Sequence, residues 1–413
     1  MKIFNLNEKN KKILFLVYLF CNIVLFFRYY FNQELGGDLS GYGIADNLLL
    51  LSSVVLVVSS FIIFNVVFNI FDSLKVKRTL GYVRSSLIDY FCLCIIVTSC
   101  FFSLYYGYGR VGVSTESIPS FVILFNKFFV PNYFLSVYFF YKYDSKSVIY
   151  KINILLFCLN AIFQGFTFPL LMVGYLFVYR LQAENRLNIK ALLVVVFAAL
   201  LFSPFIRVMK NIMIRSAITG DYDFLNGLDA LYTVSDVSHF YELYALYAAK
   251  VMERFESISA LFYIKEHIND IRSLYESNKF LPFHLYHWIP QTIDKILNPN
   301  SVYDITQDYV QRAIAFYINP YFQWQIHITF WGWVLIDPDL SFLYMIYVFS
   351  LLSIAIFLSK KLSFAKNITN LVWYYSFLYI CHGWFNEYIL FIQGLFVFSI
   401  FIGLFNIQKL KRY

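Results

Sequence analysis

Three basic residues, Arg207, Lys210 and Arg215, stand close together where a long apolar run ends. Cations at such a boundary either snorkel, laying their stems along apolar surface, or they hold an anion there. Arginine suits a phosphate because its planar fork can engage two oxygens at once. Arg207 and Arg215 would lie about 12 Å apart and nearly on one face if the helix continues through them. Lys127, beside Asn126, sits about eight residues inside another apolar run. An ionisable group at that depth is a functional candidate with a carboxylate or phosphate as partner, unless its stem snorkels outward. Arg28 is nearer the end of its run and reads as a snorkelling residue.

A second candidate is the stretch Leu281-Pro-Phe-His-Leu-Tyr-His-Trp-Ile-Pro-Gln-Thr-Ile-Asp-Lys295, which breaks the surrounding apolar pattern with two prolines and two histidines. His284-x-x-His287 lacks the further Cys, His or carboxylate that zinc requires. As a general base, either imidazole suits proton transfer near neutrality. Phe283, Tyr286 and Trp288 could hold a sugar face, but burial in the loop core is the commoner use of such residues. Asp221-x-Asp223 and Asp337-Pro-Asp339 are short acidic pairs that arise easily by chance, and the second reads as a turn. No metal and no cofactor are assigned.

The elements that must position these residues are membrane spans. Of 413 residues, 60% are hydrophobic and only 14% charged, against about 25% charged in soluble domains. Apolar runs long enough to cross a hydrocarbon core of about 30 Å recur along the chain. Hydropathy predicts about ten spans, at 13–32, 47–71, 86–106, 119–141, 152–165, 167–180, 190–206, 340–358, 368–385 and 388–407. The fifth and sixth are short and joined through Gln164-Gly165-Phe166-Thr167, so a single tilted span is the alternative there. The six cysteines fall in or at the ends of apolar runs, where Cys92-x-Cys94 reads as packing.

Basic residues fix the expected orientation. Lys9, Lys11 and Lys12, then Lys75, Lys77, Arg78 and Arg84, then Lys142, Lys146 and Lys151, Arg180 and Arg186, Lys360, Lys361 and Lys366, and Lys409 and Lys411 alternate with loops poor in Lys and Arg. Both termini are therefore expected in the cytoplasm. The net charge of +8 belongs to these clusters and not to a nucleic-acid surface. The chain divides into a bundle of about seven spans at 1–206, a large outer loop at 207–335 and a bundle of about three spans at 336–413. The loop holds five of the six histidines, His239, His267, His284, His287 and His327; the sixth, His382, falls in an outer turn. From His239 to Tyr275 apolar residues recur at helical spacing, as in helices lying on a membrane surface. No Walker or Gly-x-Gly-x-x-Gly pattern is present.

This all-α, polytopic arrangement resembles the bacterial O-antigen polymerase family (Wzy). Arg254-Phe-Glu-Ser-Ile-Ser-Ala-Leu-Phe-Tyr263 is similar to the family's Arg-led loop helix. Pro290-Gln291 with Lys295 and Asn298-Pro299 is similar to its Pro-Arg…Lys-Pro stretch, with Gln291 replacing the usual Arg. Phe322-Gln-Trp-Gln-Ile-His-Ile-Thr-Phe-Trp-Gly332 resembles its re-entry into the membrane. The resemblance implies a GT-C-like integral-membrane glycosyltransferase of the bacterial inner membrane, acting at its periplasmic face. It would transfer the growing glycan from undecaprenyl pyrophosphate to an incoming lipid-linked repeat, with a chain-length regulator protein as a further partner. Arg254 with His284 or His287 would then serve the chemistry, while Arg207, Lys210, Arg215, Lys127 and Lys295 would bind pyrophosphate. A flippase for the same lipid-linked glycan and an O-antigen ligase are the alternatives. A membrane O-acyltransferase fits less well, because no histidine stands in the middle of a span.

Overall fold

The computed structural model describes residues 9–77, 79–81, 86–110, 118–166, 168–219, 224–298, 303, 308–318, 325–362 and 365–410. Arg78, Arg84, Thr167, Asp221, Asp223, Pro299, Phe322, Trp324 and Lys411, all used above, lie outside the described residues. Eighteen α-helices follow one another among the residues described. They are α1 (Lys9–Asn32), α2 (Asn47–Ser73), α3 (Leu87–Tyr105), α4 (Ser120–Phe129), α5 (Pro131–Tyr141), α6 (Val148–Gln164), α7 (Phe168–Ala183), α8 (Ile189–Thr219) and α9 (Phe224–Ser235). There follow α10 (Phe240–Ala249), α11 (Ile258–Glu266), α12 (Ile268–Glu276), α13 (Trp288–Leu297), α14 (Val310–Ile318), α15 (Thr329–Ile336), α16 (Ser341–Lys361), α17 (Ala365–His382) and α18 (Phe385–Leu410). The described residues form no strand, only three isolated bridges.

Among the described residues, six segments are long and apolar enough to cross a membrane: α1, α2, α3, the α4–α5 pair, α16 and the stretch Phe385–Phe405 of α18. The chain is an all-helical, membrane-embedded protein. α6 and α7 are apolar but shorter. They are separate helices because Gly165 takes a left-handed conformation (φ 76°) and Phe166 N–H bonds back to the Ala161 carbonyl at 2.9 Å, a Schellman stop. The α4–α5 pair breaks at Val130-Pro131. Proline lacks the N–H and disfavours helical geometry in the residue before it, and Val130 has φ 45°. α17 carries Asn367, Thr369, Asn370, Ser376 and His382, yet every residue from Asn367 to Gly383 is buried. A helix enclosed on all sides needs no apolar surface and can carry polar groups that find partners, as Ser376 does in Tyr388 (2.8 Å).

The chain forms two compact units. The first comprises residues 1–77, 252–359 and 369–392. Here α1 packs on α2, and α11 packs on both α2 and α15. The sequence pattern around α11 suggests a surface helix, but Glu256 to Ile264 are buried without a break. Ile258, Leu261, Phe262 and Ile264 fill the core on several sides of the helix, so its amphipathic spacing is a packing pattern. Phe283, Tyr286 and Trp333 form a second aromatic core, with Phe283 edge-on to Trp333 and Tyr344.

The second unit comprises residues 78–251, 360–368 and 393–413. Hydrogen bonds join Asn153 to Asp89, Asn160 to Ser99 and Gln164 to Ser103. The paired numbers rise together, so α3 and α6 run parallel. The end of α8, beyond Pro204, packs on α9 and α10 through Val208, Ile212, Leu231 and Leu243. Residues 207–251 thus belong to the second unit and residues 252–335 to the first.

One glycine in the first unit is decisive. Gly383 has φ 76°, and a Cβ there would come within 2.5 Å of Ile328 and 2.6 Å of the Thr329 carbonyl. Gly383→Ala should therefore cost about 1–3 kcal/mol through strain and overpacking. A lowered unfolding temperature in detergent would show this, and an unchanged one would mean the turn can shift.

Candidate functional site

The C-terminal ends of α1 and α17 and the turn Met252–Phe255 carry a dense polar cluster within the first unit. Asn22 of α1 holds that turn: its Nδ2 donates to the Phe255 carbonyl (2.9 Å), and its Oδ1 accepts from the Ser257 N–H (3.1 Å). Six residues along α1, Arg28 donates to Glu253 Oε1 at 2.9 Å. The next residue in the turn, Arg254, faces Asp38 at 3.8 Å. Asp38 comes from the loop between α1 and α2, which is closed by Leu35 N–H to the Tyr42 carbonyl (2.8 Å) and Ile44 N–H to the Gln33 carbonyl (2.9 Å). Gly36 and Gly37 let that loop lie against the turn. A Cβ on Gly36 would meet the Tyr29 ring at 2.9 Å, and one on Gly37 would stand 3.3 Å from Glu256 Oε1.

Glu256 is buried and accepts three hydrogen bonds, from the N–H groups of Ile258 (2.7 Å) and Ser259 (3.1 Å) and from the Ser259 hydroxyl. Burial raises its carboxyl to about 7, with these hydrogen bonds opposing the rise. Beside it, Ser257 Oγ lies 2.8 Å from His382 Nδ1, and the His382 ring is 4.6 Å from that of His327. Trp384 Nε1–H donates to His327 Nδ1. Burial pushes His327 down to about 4, with the Arg254 guanidinium adding to the effect. His327 is therefore neutral at physiological pH. Since indole can only donate, the His327 proton sits on Nε2, where it can donate onward. Gln311 steadies the turn by donating to the Gly383 carbonyl at 2.8 Å.

This gives two guanidinium groups, one bound to the Met252–Phe255 turn and one carried by it, each with its side chain about half exposed (50% for Arg28, 51% for Arg254). Near them are a neutral imidazole donor and a carboxyl that titrates near neutrality. Such a set can hold an anion and move one proton at pH 7.

Of the residues singled out by sequence, Arg254 belongs to this cluster. His284 is exposed and packs edge-on against Phe283. His287 is buried, and its Nδ1 accepts from the Ile289 N–H at the start of α13, a capping contact. Lys295 is exposed in the last turn of α13. Arg207, Lys210, Arg215 and Lys127 lie in the second unit. Arg207 donates to the Lys250 carbonyl (3.3 Å) and stacks over Tyr247 at 5.0 Å. Arg215 is on the helical continuation of α8, and Lys127 is exposed in the last turn of α4. Asp337 accepts from the Leu340 N–H (3.1 Å), a turn before α16. Among the described residues no three His, Cys, Asp or Glu side chains converge as a metal would require.

No family model, curated protein or solved structure matches this chain. Function has to be read from the cluster itself. Sequence reading passed over Arg28, Asp38, Glu253, Glu256, His327 and His382 as members of one site. Two signals were available: the doublet Gly36-Gly37 just before Asp38, and Glu253-Arg-Phe-Glu256 directly ahead of an apolar helix.

Proposed function

We propose that this chain is a membrane-embedded glycosyltransferase that polymerises lipid-linked oligosaccharide repeats, in the manner of the O-antigen polymerases it resembles. The observation that carries the reading is the pair Arg28 and Arg254 beside a carboxyl that titrates at about 7. The donor glycan is already activated by its pyrophosphate, so the protein need only bind that leaving group and take a proton from the acceptor. Arg28 and Arg254 hold the pyrophosphate of the donor, exchanging their contacts with Glu253 and Asp38 for phosphate oxygens. Glu256, under the Gly36–Gly37 loop, accepts the proton of the acceptor hydroxyl as that oxygen bonds to the anomeric carbon. The bond from that carbon to the pyrophosphate oxygen breaks with its electron pair, and the neutral His327 donates from Nε2 to the charge that develops.

In this reading about ten helices cross the bacterial inner membrane, both termini are cytoplasmic, and the cluster opens to the periplasm. The parallel run of α3 and α6, with α4–α5 between them in sequence, is the pairing such a topology requires. The lipid substrate is an undecaprenyl-pyrophosphate-linked oligosaccharide, and a chain-length regulator is the expected protein partner.

Deleting the gene should leave lipopolysaccharide with an intact core and at most a single repeat, and a plasmid copy should restore the ladder on gels. Loss of even the single-repeat band would favour a ligase or flippase. An unchanged ladder would reject polymerisation.

A further inference from the structure

A second cluster stands at the other end of α11. The Tyr42 hydroxyl lies 2.7 Å from His267 Nε2, and His267 Nδ1 lies 3.6 Å from Asp270 Oδ2. Tyr317 donates its hydroxyl to the same Asp270 oxygen at 2.8 Å. The rings form a continuous surface, with Tyr263 4.4 Å from His267 and Tyr42 5.2 Å from Tyr263, edge to face. Glu266 contributes Oε2, which is buried with no hydrogen-bond partner among the described residues. The outer members are open to solvent: Tyr317 is 40% exposed and the Asp270 side chain 57%.

Aromatic faces ringed by fixed acceptors suit a ligand with apolar C–H faces and many hydroxyl donors. The neighbouring cations are committed elsewhere, Lys265 to the Ser52 hydroxyl and Arg272 to the Leu335 carbonyl at 2.7 Å. A phosphate would meet the carboxyl groups of Asp270 and Glu266 with no Lys or Arg turned toward it among those neighbours, so an uncharged polyol is the better match. We propose that Tyr42, His267, Asp270 and Tyr317 form a subsite for an uncharged sugar of the glycan chain. This rests on the glycosyl-transfer reading of the Arg254 cluster.

The placement links the two sites. α11 has nine residues and rises about 13 Å, with Glu256 just before it and His267 just after. The loop between α1 and α2 runs beside both ends, giving Asp38 to Arg254 and Tyr42 to His267. A sugar at the subsite would be several units from the reacting bond on the same chain. The subsite therefore holds an oligosaccharide in register and is not a place for chemistry.

The test uses the purified full-length protein in detergent. The probe is the oligosaccharide released by mild acid from the producing cells' own lipid-linked pool, free of lipid and pyrophosphate. Saturation-transfer NMR should detect binding to the wild type. Tyr317→Ala and Asp270→Ala should each weaken it about tenfold, as loss of a bond to a charged group does; both positions are exposed enough for the fold to tolerate the change. Arg254→Ala should bind this probe as wild type does. Equal affinity in wild type, Tyr317→Ala and Asp270→Ala would overturn the subsite, as would a wild type that makes polymer but binds no probe. Binding that depends on Tyr317, in a chain whose deletion leaves the ladder intact, would keep the subsite and reject the polymerase reading.

Discussion

Arg254→Ala should cut polymer output about ten- to a hundred-fold, and Arg28→Ala should act comparably. Each guanidinium is half exposed and, among the described residues, held by one carboxylate contact, 3.8 Å from Asp38 for Arg254 and 2.9 Å from Glu253 for Arg28. An incoming pyrophosphate offers more oxygens in better geometry than those contacts do. Charge-assisted bonds of this kind contribute about 1.5–3 kcal/mol each, and about 1.4 kcal/mol is a factor of ten in rate. The lysine variants separate binding from anchoring. An ammonium keeps the charge but loses the fork, so Arg254→Lys should recover only part of the ladder. Full recovery by lysine at both positions, at matched membrane abundance, would make these residues interfacial anchors. The two variants should also differ in kind: Arg28→Ala strands the buried Glu253, so it should lower thermal stability as well as output. Asp38 is more open, and Arg254→Ala should leave the unfolding temperature close to wild type.

How much of this was legible from the sequence follows from what each signal measures. Apolar runs report the length of a span directly, and α1, α2, α3, α16 and α18 fall where hydropathy places them. Hydropathy averages over a window, however, and says nothing about enclosure. α17 is a mixture of tyrosines, asparagines and apolar residues, and its complete burial follows from neighbours that are distant in sequence. The same limit applies to α11, where helical spacing is equally compatible with a surface helix and with a core one. Arg254 came into view only through the resemblance of Arg254–Tyr263 to an Arg-led loop helix. Its surroundings were not legible, because Asp38 and His327 reach it, and Arg28 reaches the neighbouring Glu253, from segments separated by many tens to hundreds of residues. Arg28 near the end of a span looks like any snorkelling residue until Glu253 is seen 2.9 Å away. The two histidines of the Leu281–Lys295 stretch drew attention through their spacing, whereas His287 is occupied at the start of α13.

Lys142 shows the same limit in the second unit, and it carries the largest stability effect expected. In the sequence it is one more basic residue of a short loop. In the structure its Nζ lies 2.9 Å from Asp89 Oδ1, with the two side chains only 5% and 4% exposed. The Tyr138 hydroxyl donates to the same oxygen at 2.8 Å, and Asn153 reaches both the Asp89 carbonyl (3.0 Å) and the Tyr138 hydroxyl (3.2 Å). The start of α3, the end of α5 and the start of α6 are thereby joined at one point. Removing one member of a buried ion pair leaves the other charge uncompensated and costs about 3–5 kcal/mol. Lys142→Ala should therefore sharply reduce the protein recovered from membranes and lower its unfolding temperature, and Asp89→Ala should do the same. Replacing both together, as Asp89→Leu with Lys142→Met, removes the stranded charge and should recover most of the loss. If either single variant unfolds at the wild-type temperature, water reaches the pair and it is not a brace. The polymer ladder provides a further separation. In the Lys142 variants output should fall in proportion to abundance, with unchanged activity per molecule, whereas in Arg254→Ala it should fall at constant abundance. Loss of activity per molecule in Lys142→Ala would place the pair in the reaction and not in the scaffold.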